Sequence, residues 1–285
     1  MRIDLHVHST ASDGTDPPAE VMRRAREAGV DIVALTDHDT VACHEEARQA
    51  LPEGLTLVPG MELSCQLDGQ SVHLLAYLFE RTDEALAAEC QKIREDRDRR
   101  AREMVTKLAE LGTTVTWDRV AKIAGDSVVG RPHIARAMVE AGVIDTHDQA
   151  FTPEWIGEGG RAYAARYALD PIAAIHLISA AGGVSVLAHP RITDTDGWTA
   201  SDETIARLAT AGLTGVEVWH PAQEDTERDR LLLLASELGL VASGGSDDHG
   251  TLTEHRIGSE TIPPHAYERL ITQATGAIPV QGDGG

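Results

Sequence analysis

Aromatic side chains are scarce in this chain of 285 residues, at 4% of the total. Aliphatic residues and alanine must therefore fill most of any core, and a hydrophobic fraction of 42% is enough for a sizeable one. No apolar run reaches the roughly 18 residues that a transmembrane helix needs. The opening MRIDLHVH lacks the charged and then apolar layout of a secretory signal. Cysteine is sparse too. Cys43, Cys65 and Cys90 are odd in number and far apart, which argues against a disulfide framework and for a reducing cytoplasm. A basic face is also missing, because the net charge is −21. That balance speaks against a grip on the phosphates of long duplex nucleic acid, and no membrane partner is expected. Small anionic substrates stay open, since a bound cation reverses the local field. The plainest meaning of the acidity is solubility.

No fixed-period repeat is evident, and short β-rich runs alternate with helical patterns. The strand candidates are IDLHVH, DIVALTD, LTLVPGMEL, SVHLLAYL, GVSVLAH, TGVEVWH and LVASGGSDD. DPPAEVMRRAREAG and DPIAAIHLISAAGG start with proline and end in glycine, and SDETIARLATAG starts with a capping residue and an acidic turn. Alternation of this kind implies parallel pairing and an α/β fold. Seven such strands favour a distorted (β/α)7 barrel over a small open sheet. The pattern breaks between about Thr82 and Arg166, where EALAAECQKIREDRDRRAREMVTKLAELG reads as one long charged helix with Ile93, Met104, Val105, Leu108 and Leu111 as its apolar stripe. The expected organisation is a discontinuous barrel, 1–81 and 167–285, with a helical subdomain at 82–166 placed over the active site. The basic run from Arg94 to Arg102 reads as a solvated, charge-paired helix face. The tail QGDGG reads as frayed.

Chemistry-bearing residues gather at the strand candidates. His6 and His8 are two apart on a strand and share a face, and Asp13 follows in a loop. Asp37, His38 and Asp39 end the second run, Glu62 follows the third, and His73 lies in the fourth. His189 ends the fifth, Glu217 and His220 mark the sixth, and Asp247 and His249 follow the seventh. In a parallel barrel the C-terminal strand ends meet at one rim, where active sites form. Any one of these residues alone would read as a cap or a turn. Their joint placement is what points to a site, whereas His44, His147, His176, His255 and His265 read as structural. Imidazole with carboxylate suits Mn²⁺, Fe²⁺ or Zn²⁺ better than Mg²⁺. So many donors imply two or three ions sharing a bridging carboxylate, an arrangement that can clamp a phosphoryl group and supply hydroxide.

The set DLHVHS, TDHD, a Glu after PG, a strand His, AHP and GSDDH resembles the PHP (polymerase and histidinol phosphatase) superfamily. The resemblance spans both ends of the chain and every strand candidate. It implies a distorted seven-stranded β/α barrel with up to three metals. By it, His6, His8, Glu62 and Asp247 are the ligands of one ion. Glu62 bridges to a second completed by His73 and His189, and Asp13, His38 and His249 form a third set. Many relatives carry histidine where Asp13 stands, so the acid makes that third set harder. GRPHIARAMV, Gly130 to Val139, resembles a narrower branch of stand-alone phosphoesterases acting on nucleoside 3′,5′-bisphosphates and short RNA ends. That likeness casts Arg131 and His133 as holders of a substrate phosphate. Read without it, RPH is a helix start with proline near its first position.

The function expected is a cytoplasmic, metal-dependent phosphoric ester hydrolase that attacks small nucleotides or short RNA 5′ ends through metal-activated hydroxide. Two or three divalent ions are its cofactors, Mn²⁺ first, with Fe²⁺ or Zn²⁺ as alternatives. His189, His220 and Asp247 are the catalytic candidates, Glu217 and Trp219 are expected to shape the floor of the pocket, and Trp219 either stacks on a base or belongs to the core. The competing readings are a histidinol-phosphate phosphatase, an amidohydrolase-type C–N hydrolase and a metal-binding regulatory module.

Overall fold

Runs of four or five aliphatic residues are long enough to make strands but too short to make helices, and they assemble here into one sheet. The structure is a computed structural model that describes residues 1–125, 129–165, 167–192 and 198–282. Strand β1 (Ile3–Asp4) pairs in parallel with β2 (Ile32–Leu35), and β2 with β3 (Thr56–Leu67). Strand β3 turns back into β4 (Gln70–Tyr77) as an antiparallel pair, and β4 lies antiparallel to β5 (Val184–Leu187). Strands β5, β6 (Gly215–Trp219) and β7 (Val241–Gly244) run parallel. Just beyond β1 and β7 the chain bonds to itself, His6 O accepting from Asp247 N at 2.8 Å and Asp248 O from His8 N at 3.0 Å. These bonds bring the first and seventh strands together and curl the sheet into a barrel.

Two details depart from the sequence reading. The alternation implied parallel pairing throughout, yet β4 is reversed. Asp68 and Gly69 sit between β3 and β4 with φ of 50° and 88°. Two consecutive left-handed residues make the tight turn that joins antiparallel strands. The tail, read as frayed, contributes β8 (Val280–Gln281), which pairs with Leu57 and Thr56 of β3. The last three residues of QGDGG lie outside the described residues.

Helices α1 (Pro18–Glu27) and α2 (Cys43–Gln49) follow β1 and β2. Helix α3 (Glu84–Glu110) is the long charged helix, followed by α4 (Trp117–Ala124), α5 (Arg131–Glu140) and a 3-10 turn at His147–Phe151. Helices α6 (Pro171–Ala180), α7 (Asp202–Thr210), α8 (Asp225–Leu238) and α9 (Pro264–Ile271) return to the barrel. Contacts divide the chain into two compact units, the first joining Met1–Cys90 to most of the chain beyond Leu169, the second being mainly Gln91–Ala168. The boundary expected at Arg166 lies outside the described residues.

Each unit has its own core. In the first, Ile32 and Ala34 of β2 join a cluster with Ile3, Leu5, Val58, Val186 and Val241, while Val33 and Leu35 join another with Val21, Met22 and Leu57. The strand is thus buried on both faces, as a parallel strand between helices and barrel interior must be. In the second, Met104 and Leu108 of α3 pack with Val120, Ile134, Met138 and Ile156. The basic run of α3 forms local pairs, Arg99 with Asp96 and Glu103, and Arg102 with Asp98. Cys43, Cys65 and Cys90 are buried and form no disulfide. Among the described residues, no helix is long and apolar enough to cross a membrane.

Candidate metal centre

The alternation of a strand sends His6 and His8 to the same side of the β1 segment, and both are buried. Their Nε2 atoms stand 3.1 Å apart. Glu62, on β3, places Oε2 at 3.3 Å from the first and 3.1 Å from the second. Asp247, just past β7, places Oδ1 at 3.2 Å from each. Two imidazoles and two carboxylates from three distant parts of the chain therefore face a common centre.

The fit of a cation to these residues can be judged from their spacing. With ligand bonds of about 2.1 Å, neighbouring donors lie about 3.0 Å apart around an octahedral ion and about 3.4 Å around a tetrahedral one. The observed separations fall in that interval. Asp247 Oδ1 is also buried without a hydrogen bond, although two ring nitrogens are within 3.2 Å. Proximity without hydrogen-bond alignment is how donors look when they point at a shared ion rather than at one another. His38 Nδ1 is likewise buried and without a hydrogen bond, 3.4 Å from Glu62 Oε2. The residues present fit a divalent cation.

Further donors surround this set. Glu62 turns its other oxygen, Oε1, to His73 Nδ1 at 2.7 Å and to His189 Nε2 at 3.1 Å. His38, Glu62 and His73 form a second group with metal-ligand proximity. The third comprises His8, Asp13, His38 and His249. In it Asp13 Oδ1 is 3.4 Å from His249 Nε2, and Asp13 Oδ2 is 3.6 Å from His38 Nε2. The structure thus brings all nine sequence-derived ligand candidates into one neighbourhood. It differs from the expected partition in that His38 lies between Glu62 and Asp13, facing both.

The charges are strongly coupled. Burial works to raise the Glu62 and Asp247 carboxyls, but the surrounding histidines, His38 for Glu62 and His6 for Asp247 foremost, hold both well below the usual range. Burial works to lower the two β1 histidines, yet the carboxylates around them push His6 well up and His8 up to about 10. His38, by contrast, is driven by burial down to about 4. The carboxylates thus attract protons onto ring nitrogens at the very place a cation would sit, so protons and metal compete there.

Neighbouring residues hold this constellation in place. Asp37 and Asp39 flank His38 but point elsewhere. Asp37 accepts from Ser9 N, Ser9 Oγ and Ser12 Oγ, and Asp39 accepts from Ser64 N and Ser64 Oγ. Both serve as loop clamps. His220 accepts from Ala222 N through Nδ1, at 3.1 Å, which leaves the proton on Nε2 to donate to Asp247 Oδ2 at 3.2 Å. Both of its ring nitrogens are thereby engaged, and its place is beside a ligand carboxylate. Trp219 is half-buried and packs against the barrel core.

Arg131 and His133 begin α5, in the second unit. The His133 Nδ1 accepts from Gly130 N at 3.0 Å, so this ring caps its own helix. The Arg131 guanidinium lies 5.5 Å from the centre of the Phe151 ring. Sequence reasoning placed Glu217 in the pocket floor without foreseeing its partners, and missed Asp4. Asp4 and Glu217 are wholly buried. The available signal was an acid inside an apolar strand run, IDL and VEV, where an uncompensated charge is costly and so implies partners.

A family model described as the PHP domain matches residues 4–115. A 5′-3′ exoribonuclease of Haemophilus influenzae is 36% identical over 87% of this chain and 90% of its own length. A 3′,5′-nucleoside bisphosphate phosphatase of Chromobacterium violaceum is 33% identical over 92% of this chain and 93% of its own length. Among solved structures, a candidate metal-dependent phosphoesterase from Bifidobacterium adolescentis superposes with a TM-score of 0.84 at 31% identity, over 96% of both chains. A second, described as an amidohydrolase from Chromobacterium violaceum with bound SO4 and no metal, gives a TM-score of 0.82 at 29% identity, over 97% of this chain and 98% of its own.

Proposed function

This chain belongs to the PHP domain family and is a metal-dependent phosphoric ester hydrolase, and on that premise we propose that it acts on nucleoside 3′,5′-bisphosphates or short RNA 5′ ends. The observation that carries the reading is the convergence of His6, His8, Glu62 and Asp247, whose donor atoms all lie within 4.8 Å of one another. The expected cofactors are two or three divalent ions, Mn²⁺ first, because imidazole mixed with carboxylate suits it, Fe²⁺ and Zn²⁺ better than Mg²⁺.

The roles follow from the donor set. His6, His8 and Asp247 hold one ion with Glu62, whose two oxygens face different groups and so suit it to bridge. His73 and His189 serve a second, and Asp13, His38 and His249 a third. Bound there, divalent ions draw the pKa of coordinated water toward neutrality and offset charge building on phosphoryl oxygens. Among the catalytic candidates, Asp247 acts as a ligand, while His189, turned to Glu62 Oε1, transfers a proton only where its Nε2 is not taken up by the second ion. His220 keeps its proton on Nε2 and orients Asp247. The planar fork of Arg131 suits a bidentate grip on a substrate phosphate, with His133 beside it. A short substrate suits a protein of net charge −21, which would repel a long polyanion away from its cations.

The amidohydrolase reading draws on one solved neighbour. Such sites usually use a bridging lysine or carboxylate in mid-barrel and a single late Asp; Glu62 leaves the carboxylate option open, so the late Asp247-Asp248-His249 run is what tells against them. Here the three lysines, Lys92, Lys107 and Lys122, lie on α3 and α4 and none is on a barrel strand. A parallel assay decides. The protein is stripped of metal, reloaded with Mn²⁺ and offered a nucleoside 3′,5′-bisphosphate, a 5′-phosphorylated oligoribonucleotide, histidinol phosphate and an amide substrate. Phosphate or nucleotide release from the first two, with little from the others, is expected. Amide turnover without phosphate release would reverse the assignment.

A further inference from the structure

Glu217 belongs to none of the metal-ligand groups, yet it is wholly buried. Its two oxygens are committed to different parts of the site. Oε1 stands 3.0 Å from His6 Nδ1. Oε2 accepts the backbone N–H of His189 at 2.7 Å. His189 has a φ of +29°, a conformation that residues with a Cβ rarely adopt. Immediately after Glu217 the pairing of β6 with β7 slips, Glu217 facing Ser243 and Trp219 facing Gly244. Bulges of this kind re-aim side chains beside functional sites.

We propose that Glu217 is a positioning residue that locks the proton of His6 onto Nδ1 and fixes the backbone kink of His189, thereby coupling the donors of two adjacent ion sites. The inference rests on the metal reading and adds a residue to it. An acceptor on Nδ1 draws the single proton of a neutral imidazole to that side, so the Nε2 lone pair is left facing His8, Glu62 and Asp247. The same carboxylate holds the His189 N–H, so the ring that reaches Glu62 Oε1 at 3.1 Å is set by the residue that orients His6.

The chemistry of an amide makes the test sharp. In Glu217→Gln the backbone N–H of His189 can only donate, so the amide oxygen must stay there. The NH2 group then faces His6 Nδ1. Two donors cannot share that contact, so the His6 proton moves to Nε2, into the cluster. The experiment compares wild type with Glu217→Gln, each labelled with ¹⁵N in histidine and loaded with diamagnetic Zn²⁺. Wild type should show a slowly exchanging His6 Nδ1–H. The variant should lose that signal and bind Zn²⁺ about 10–100-fold more weakly while melting cooperatively. Equal affinity with a retained Nδ1–H would overturn the proposal. Absence of Zn²⁺ binding by wild type would instead sink the metal reading. The Glu217 inference is then read in metal-free protein at a pH above the raised values of His6 and His8, about 10 for His8, where these imidazoles are neutral. It stands if Nδ1–H is present and vanishes in Glu217→Gln, and falls if the two proteins match. Should Glu217→Gln not fold, Glu217→Asp, one methylene too short to reach both partners, carries the same readouts.

Discussion

Single atoms decide much at this site. Asp4 Oδ1 accepts from His6 N at 3.3 Å and Ser246 N at 2.9 Å, while Oδ2 accepts from Gly258 N at 2.7 Å. Burial pushes its carboxyl up to about 6 against the pull of those donors. In Asp4→Asn the amide nitrogen must face at least one N–H, so a loss of about 1–3 kcal/mol is expected in urea melts. An unchanged midpoint would mean the loop relaxes at no cost. Gly245 is constrained differently, because a Cβ there would lie 2.4 Å from His6 N and 2.5 Å from His6 Cβ. Gly245→Ala should displace β1 or the β7 extension, and measured metal content should fall along with thermal stability. Asp247→Ala removes a donor without filling space. It should stay folded by circular dichroism and lose at least one ion per chain by elemental analysis, together with turnover. Wild-type metal content in that variant would remove Asp247 from the ligand set.

At the scale of elements, strand-end donors were legible and their directions were not. The period of two announced that His6 and His8 share a face. No periodicity says that Asp37 and Asp39 turn to Ser9, Ser12 and Ser64 while His38 between them turns inward. That choice depends on backbone left-handed at Asp39, as at His189 and Asp247, with φ of 54°, 29° and 49°. Such conformations are imposed by tertiary contacts and leave little local trace. The reversal of β4 did leave one, the Asp68-Gly69 pair, outweighed in a pattern dominated by strand–helix alternation. The arrangement of buried acids was hidden for a similar reason, since only the fold shows what faces Asp4 and Glu217. Helix starts, by contrast, were plain. Asp170 caps α6 by accepting from Ile172 N and Ala173 N. Asp170→Ala should cost about 1 kcal/mol in a denaturant melt with no change in metal content. A loss of bound metal there would show that α6 does more than brace the barrel.

For the molecule as a whole, cation binding and folding are linked. The donors come from residues 6 through 249 and gather only in the folded state. An ion that binds the native chain and not the unfolded one stabilises it by about 2.7 kcal/mol when present at a hundredfold its dissociation constant. Chelation should therefore lower the melting temperature, and the shift should shrink in Asp247→Ala. If chelator leaves wild-type melting untouched, cations contribute nothing to the fold.

The hydrogen bonds between His6 O and Asp247 N and between His8 N and Asp248 O have a temporal meaning as well. They place the seam of the barrel, where its earliest strand meets its seventh, beside the candidate metal centre. The whole stretch between His8 and Asp248 must be made before that seam can be sewn. The phosphoester hydrolase would thus be inert until the ring shuts, acquiring reactivity only when both sides of the seam exist.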